Sequence, residues 1–142
     1  MNYTFRYTIR SLCFHDNSIL LEEQKQYLGT YYFPGGGLEL SKSFIEYLER
    51  EYAEETTSKI IKFSYLFVVE NLFKCSYSYI HAIEHFYLVE LDNYDMQTRP
   101  QAITHKWVQL QEIEQYDIRP QIVKAAILDG SWDKRKHFSN IQ

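Results

Sequence analysis

The break Pro34-Gly35-Gly36-Gly37 constrains this chain more than any other stretch, because the periodicity of its apolar residues changes there. Upstream, Tyr3, Phe5, Tyr7 and Ile9 alternate with Thr4, Arg6, Thr8 and Arg10, the two-residue period of a half-buried strand over residues 3–14. Asp16-Asn17 predicts a turn, and Ile19-Leu20-Leu21 resumes the apolar run, so the first two elements read as a hairpin. A polar stretch from Glu22 to Thr30 leads to Tyr31-Tyr32-Phe33 and the break. Downstream, Ser43 to Thr56 contains no glycine or proline, and Phe44, Tyr47, Leu48 and Tyr52 recur at helical spacings of three and four. Ser41 or Ser43 can cap this helix, and Glu46 follows Ser43 at the capping-box spacing.

Beyond the helix, Ile60–Phe73 and Tyr79–Leu91 are rich in β-branched and aromatic residues, with Lys74–Ser78 as their connection. Thr104–Leu110 predicts a shorter strand. Pro120 suits the first turn of a last helix, whose stripe Ile122, Val123, Ala126 and Ile127 ends near Gly130. From about Ser131 the chain reads as a loosely held tail. With 142 residues, 45% of them apolar, residues 1–142 fit one domain in which a mixed sheet lies between helices. The 13 tyrosines and 9 phenylalanines suit strands in a β-rich core.

The net charge of −4 gives no overall attraction to a phosphate backbone, so no nucleic-acid partner is expected. Cys13 and Cys75 lack zinc-site spacing and read as reduced thiols. The N-terminus lacks a cationic start, and no run approaches the roughly 18 apolar residues of a membrane span, so a cytoplasmic protein without a membrane partner is expected. The sequence leaves a homodimer open.

The chemistry lies just after the break. Glu51, Glu54 and Glu55 stand at i, i+3 and i+4, so on a helix they share a face within about 6 Å along the axis. Three carboxylates so placed repel one another unless cations neutralise them, and an oxygen donor set is what Mg²⁺ or Mn²⁺ accepts. The opposing reading is a solvated acidic face beside Arg50 and Lys59. Consecutive glycines favour the metal, because bare backbone can approach an ion or phosphate closely.

Together these residues resemble the box of the Nudix hydrolases, G-x5-E-x7-R-E-u-x-E-E-x-G-u with u aliphatic. In residues 36–58, Gly36, Arg50, Glu51, Glu54 and Glu55 agree, whereas Lys42 stands at the first glutamate and Thr57 at the last glycine. Pro34-Gly35 and Glu39 also look like the family, as do, more loosely, the strands that follow. The resemblance implies an α/β/α sandwich with a mixed β-sheet flanked by helices. It also implies hydrolysis of the pyrophosphate bond in a nucleoside diphosphate joined to another moiety, with Mg²⁺ or Mn²⁺ as cofactor and a small nucleotide as substrate.

By position, Glu51, Glu54, Glu55 and the Gly35 carbonyl would hold metal, and Arg50 would orient the carboxylates. Lys42 would meet a substrate phosphate or pair with Glu39 or Glu46, and it raises a second reading, a Nudix-shaped nucleotide-binding or regulatory module with weakened catalysis. A β-branched Thr57 would be strained at a positive φ, so a different helix ending is expected. Glu70 and Glu84 are candidates for an additional acid or substrate contact, each the alternative to a solvent-facing strand residue. Arg10 is a candidate phosphate ligand. His81, His85 and His105 read as ordinary strand histidines, and Trp107 as core.

Overall fold

A computed structural model describes residues 2–99 and 103–142. The predicted alternation at the N-terminus forms β1 (Asn2–Leu12), after which the buried Cys13 lets the chain leave one sheet and enter another. The short β2 (Phe14–His15) pairs with β3 (Ser18–Gln24) across Asp16-Asn17, both of which adopt the left-handed conformation of a tight hairpin. Then come β4 (Thr30–Tyr32), β5 (Gly35–Gly37) and α1 (Phe44–Glu55). The capping box is present: Ser43 Oγ accepts the Glu46 amide, and the Glu46 carboxylate accepts the Ser43 amide.

Strands β6 (Ile60–Cys75) and β7 (Ser78–Leu91) form a long hairpin around Ser76 and Tyr77. The rest comprises β8 (Ile103–Gln109), β9 (Asp117–Arg119), α2 (Gln121–Asp129) ending on left-handed Gly130, and β10 (His137–Ile141). One mixed sheet runs β10-β6-β7-β1-β5; the other runs β2-β3-β4-β9, with β8 on the far edge of β3. The expected mixed sheet with flanking helices is therefore present, its strands divided between two sheets.

The core has two parts. Leu12, Leu21, Phe33, Phe67, Phe86 and Val108 lie between the sheets and extend to Val123 of α2. Ile9, Leu20 and Val89 pack against Tyr47, Leu48 and Tyr52 of α1. The aromatic face of β1 is covered only along its second half: Tyr3 and Phe5 are 79% and 66% exposed, whereas Ile9 is 0% exposed. Length explains this, since a 12-residue helix spans about 18 Å and an 11-residue strand about 37 Å.

The loosely held tail expected from Ser131 is corrected. Strand β10 adds in parallel to the edge of β6, with Phe138 opposite Val69, and the Phe138 ring, 1% exposed, meets Phe67 at 4.9 Å. Open hydrogen-bonding groups on an edge strand together with one buried ring dock a segment whose sequence carries too few apolar residues to announce a strand.

Candidate functional site

The glycine break is placed by β1. In the antiparallel pairing of β1 and β5, Gly35 sits opposite Arg10 with φ +141°, and a β-carbon there would lie 2.0 Å from the Ile9 carbonyl oxygen. Only glycine fits so close an approach. The contact brings the Gly35 carbonyl beside Arg10, whose Nη1 donates to it at 3.1 Å and to the Phe33 carbonyl at 3.0 Å. Ser11 ties strand, loop and helix together, because its hydroxyl donates to the Pro34 carbonyl at 3.0 Å and meets the Tyr52 hydroxyl at 2.8 Å.

Helix α1 then presents two different acidic faces. Arg50 holds Glu39 of the preceding loop with both Nη atoms and lies 3.7 Å from Glu51 and 3.6 Å from Glu54. It therefore clamps the loop to the helix. Glu54, with its side chain 58% exposed, is on this outer face. Glu55 is buried on the other side, and the Glu51 carboxyl hydrogen-bonds to it.

The inner face meets two residues that the sequence reading had not gathered into the site. Glu22 of β3 and His105 of β8 are direct cross-strand partners. His105 Nε2 stands 3.8 Å from Glu22 and 3.7 Å from Glu55, and one ligand atom from each of the three lies within 4.8 Å of the others. Glu22 is fully buried; Arg10 Nη1 reaches its Oε1 at 3.2 Å, while Oε2 has no hydrogen-bond partner. Leaving a buried carboxylate oxygen unmatched is costly.

Burial pushes the Glu22 carboxyl up to about 7, although the Arg10 charge opposes it. Burial, then the hydrogen bond with Glu51 and the charge of Glu22, also raises Glu55. His105 is lowered to about 4 by burial, so its imidazole is neutral near pH 7. Its Nδ1 faces Thr98 Oγ1 at 3.4 Å, which leaves Nε2 toward the carboxylates. Two carboxylate oxygens and a neutral imidazole nitrogen, one oxygen unsatisfied, make a donor set that fits Mg²⁺ or, with its tolerance for imidazole, Mn²⁺.

A cleft of about 270 Å³ opens beside this centre and shares Arg10 with it. Glu84 lines the cleft and is buried rather than solvent-facing: it accepts from Thr8 Oγ1 at 3.1 Å and Asn71 Nδ2 at 2.9 Å, with Arg10 Nε at 3.7 Å. The structure thus brings Arg10, Gly35, Glu51, Glu55 and Glu84 around one region. Glu70 lies elsewhere, paired with His81 at 2.8 Å, and His85 sits between the hydroxyls of Tyr7 and Tyr65. Lys42 is exposed on the loop, where its charge helps to lower the Glu39 and Glu46 carboxyls.

Thr57 has no positive φ; its amide and hydroxyl bond to Gln97 at 3.1 and 2.9 Å after Thr56 has already turned extended. The helix therefore ends in the different geometry expected of a threonine. Glu22 was hidden in the sequence because it continues an apolar run yet opens a polar stretch, and His105 because its partners lie on other elements. The one signal for Glu22 was its direct adjacency to Ile19-Leu20-Leu21.

The same arrangement of strands and helices occurs in solved structures. The chain is similar to the MutT protein of Bacillus halodurans, at 17% identity over 96% of this chain and 90% of that one, with a TM-score of 0.71. It is also similar to a NUDIX hydrolase of Nitrosomonas europaea, at 14% identity over 97% and 79% of the chains with a TM-score of 0.67. For the ORF135 protein of E. coli the identity is 23%, the coverage 88% and 87%, and the TM-score 0.60. These likenesses place the fold among the MutT-like α/β hydrolase structures. The chain itself belongs to the Nudix family, since the NUDIX domain model matches residues 5–126. Pyrophosphohydrolase activity and the use of divalent metals are general in that family. Among the described residues, no helix is long and apolar enough to cross a membrane.

Proposed function

We propose that this protein hydrolyses the pyrophosphate bond of a nucleoside diphosphate joined to a second moiety, using Mg²⁺ or Mn²⁺. The observation that carries the proposal is the buried Glu22 oxygen without a hydrogen-bond partner, facing Glu55 and His105, with Arg10 joining Glu22 to the lining of the cleft. Glu22, Glu55 and His105 would hold an ion, with Glu51 and the Gly35 carbonyl completing the site and Glu54 at its outer edge. When bound, such ions screen the diphosphate and favour ionisation of the attacking water. In the overall reaction, water adds to one phosphorus and the bridging oxygen leaves with the other, giving two phosphomonoesters.

The chain's own residues fix the reacting groups. Arg10 is held on four sides by Glu22, Glu84 and the carbonyls of Phe33 and Gly35, so it acts as a pillar between centre and cleft. Tyr27 and Tyr32 line the cleft with aromatic surface for a base, and Thr8, Asn71 and Glu84 supply polar contacts.

The experiment is a panel of nucleotide sugars, dinucleoside polyphosphates, ADP-ribose and nucleoside triphosphates, incubated with and without Mn²⁺ and followed by chromatographic separation of the phosphomonoester and pyrophosphate products. Metal-dependent turnover is expected. Nucleotide binding without turnover in either metal would instead support the weakened module, for which the lysine at position 42 is the specific ground.

A further inference from the structure

The cleft has the opposite charge to the molecule. The chain carries a net −4, yet Arg6, Arg10, Lys74 and Arg119 line the cleft, and Glu84 is the one acid among the described residues of its lining. Two of the four cations are already matched: Arg10 by Glu22 and Glu84, and Arg119 by a two-point contact with Asp117 at 2.9 and 3.2 Å. Among the described residues, neither Arg6 nor Lys74 has a carboxylate within 4.0 Å.

Position separates these cations from the metal centre. Arg6, Thr8 and Arg10 stand on one face of β1, opposite Ala82, Glu84 and Phe86 of β7. Four residues of strand place Arg6 about 13 Å from Arg10. A diphosphate held at the Glu22–Glu55–His105 end would be neutralised there, leaving Arg6 and Lys74 unmatched at the far end of the ligand.

Resting on the reading above, we infer that the substrate carries a second phosphate, a monoester remote from the scissile linkage, and that Arg6 and Lys74 at the far mouth of the cleft receive it. A phosphomonoester is a doubly charged acceptor that a guanidinium can grip with two nitrogens. The contact is exposed, so its contribution falls as salt rises. Arg6 selects the substrate and takes no part in breaking the bond.

Two pairs of compounds with a pyrophosphate linkage differ only by such a monoester: NADPH and NADH, and coenzyme A and dephospho-coenzyme A. In at least one pair the phosphorylated member should have the higher kcat/KM, by about tenfold at low salt, and the difference should lie in KM. Arg6→Glu should bring that ratio to one or below, Arg6→Lys should retain part of it, and added salt should erode it in the wild type. Equal kcat/KM within both pairs, or a preference that survives Arg6→Glu, would overturn the inference while leaving the hydrolase reading intact. If no compound turns over with any metal, calorimetry of the same pairs in chelator decides separately. Tighter binding of the phosphorylated member, lost in Arg6→Glu, sustains the inference; equal affinities overturn it.

Discussion

Two buried glutamates flank Arg10, and they differ in one respect that separates their roles. Glu84 is satisfied: Thr8 and Asn71 donate to its two oxygens, and Asn71 is itself held by Asn140 of the C-terminal strand at 2.9 Å. Glu22 receives Arg10 on one oxygen and has no partner on the other. A buried carboxylate with its full set of donors is part of the framework, whereas one aimed at another acid and a neutral imidazole is strained until a cation arrives. Burial alone would not distinguish them; the count of donors does.

The largest effect should fall on the unsatisfied side. Glu55→Gln or Glu22→Gln is expected to lower kcat by at least about a hundredfold, since even outer-shell partners of a metal commonly cost ten- to a hundredfold. Glu22→Gln should also abolish the rise in Tm that Mn²⁺ gives the wild type, because the stabilisation is binding free energy. Full activity with an unchanged Mn²⁺ shift would break the comparison outright.

Next in size is a pH effect on the metal-free protein. Burial pushes the Glu22 carboxyl from its ordinary 4.5 up to about 7, so between those values the folded state keeps a proton that the unfolded chain has lost. Below about pH 4.5 the carboxyl is protonated in folded and unfolded chains alike and costs nothing; between about 4.5 and 7 only the unfolded chain ionises it, which favours unfolding, and above about 7 the folded protein must carry the charge in a buried site. Stability should therefore fall as pH rises from about 4.5 to 7, by about 3 kcal/mol for this group, and Glu55 moves the same way. Denaturant melts in chelator read the slope. Glu22→Gln should flatten it, and a slope unchanged by that substitution would remove Glu22 as its cause.

On the satisfied side the expectation is smaller and of another kind. Glu84→Gln places an amide where Asn71 already donates, which costs about 1–3 kcal/mol of stability. The Mn²⁺-dependent rise in Tm should remain. Should it vanish, Glu84 is itself a metal ligand, and the division between the two glutamates fails.

How far the sequence revealed this site follows from the range of the interactions. Local features were legible: the capping box at Ser43 and the turn at Asp16-Asn17 depend on neighbours within a few residues, whereas the single face expected for Glu51, Glu54 and Glu55 is divided, with Glu54 outward and Glu55 buried. The pairing of Glu22 with His105 joins β3 to β8 across more than half the chain, and no periodicity encodes it. The docking of Phe138 on Phe67 is hidden for the same reason, a single ring without a pattern around it. Glu70 and Glu84 looked alike as acids in apolar strands, and only the facing of adjacent strands separates a surface pair with His81 from a buried acceptor.

The mildest test concerns Lys42, where the family pattern has an acid. Its side chain is exposed, lies in the field of Glu39 and Glu46, and is not among the residues of the cleft. Lys42→Glu adds a negative charge beside the loop that Arg50 clamps. Exposed charges of this kind are worth up to about 1 kcal/mol, so kcat/KM should change by no more than about fivefold. Steady-state rates across Mn²⁺ concentrations separate the exceptions. A larger rise with tighter Mn²⁺ dependence would mean that an acid at this position joins the metal centre after all. A collapse in rate with KM increased would mean that the lysine reaches the substrate, and the outer face of α1 would then belong to the active site as fully as the inner one.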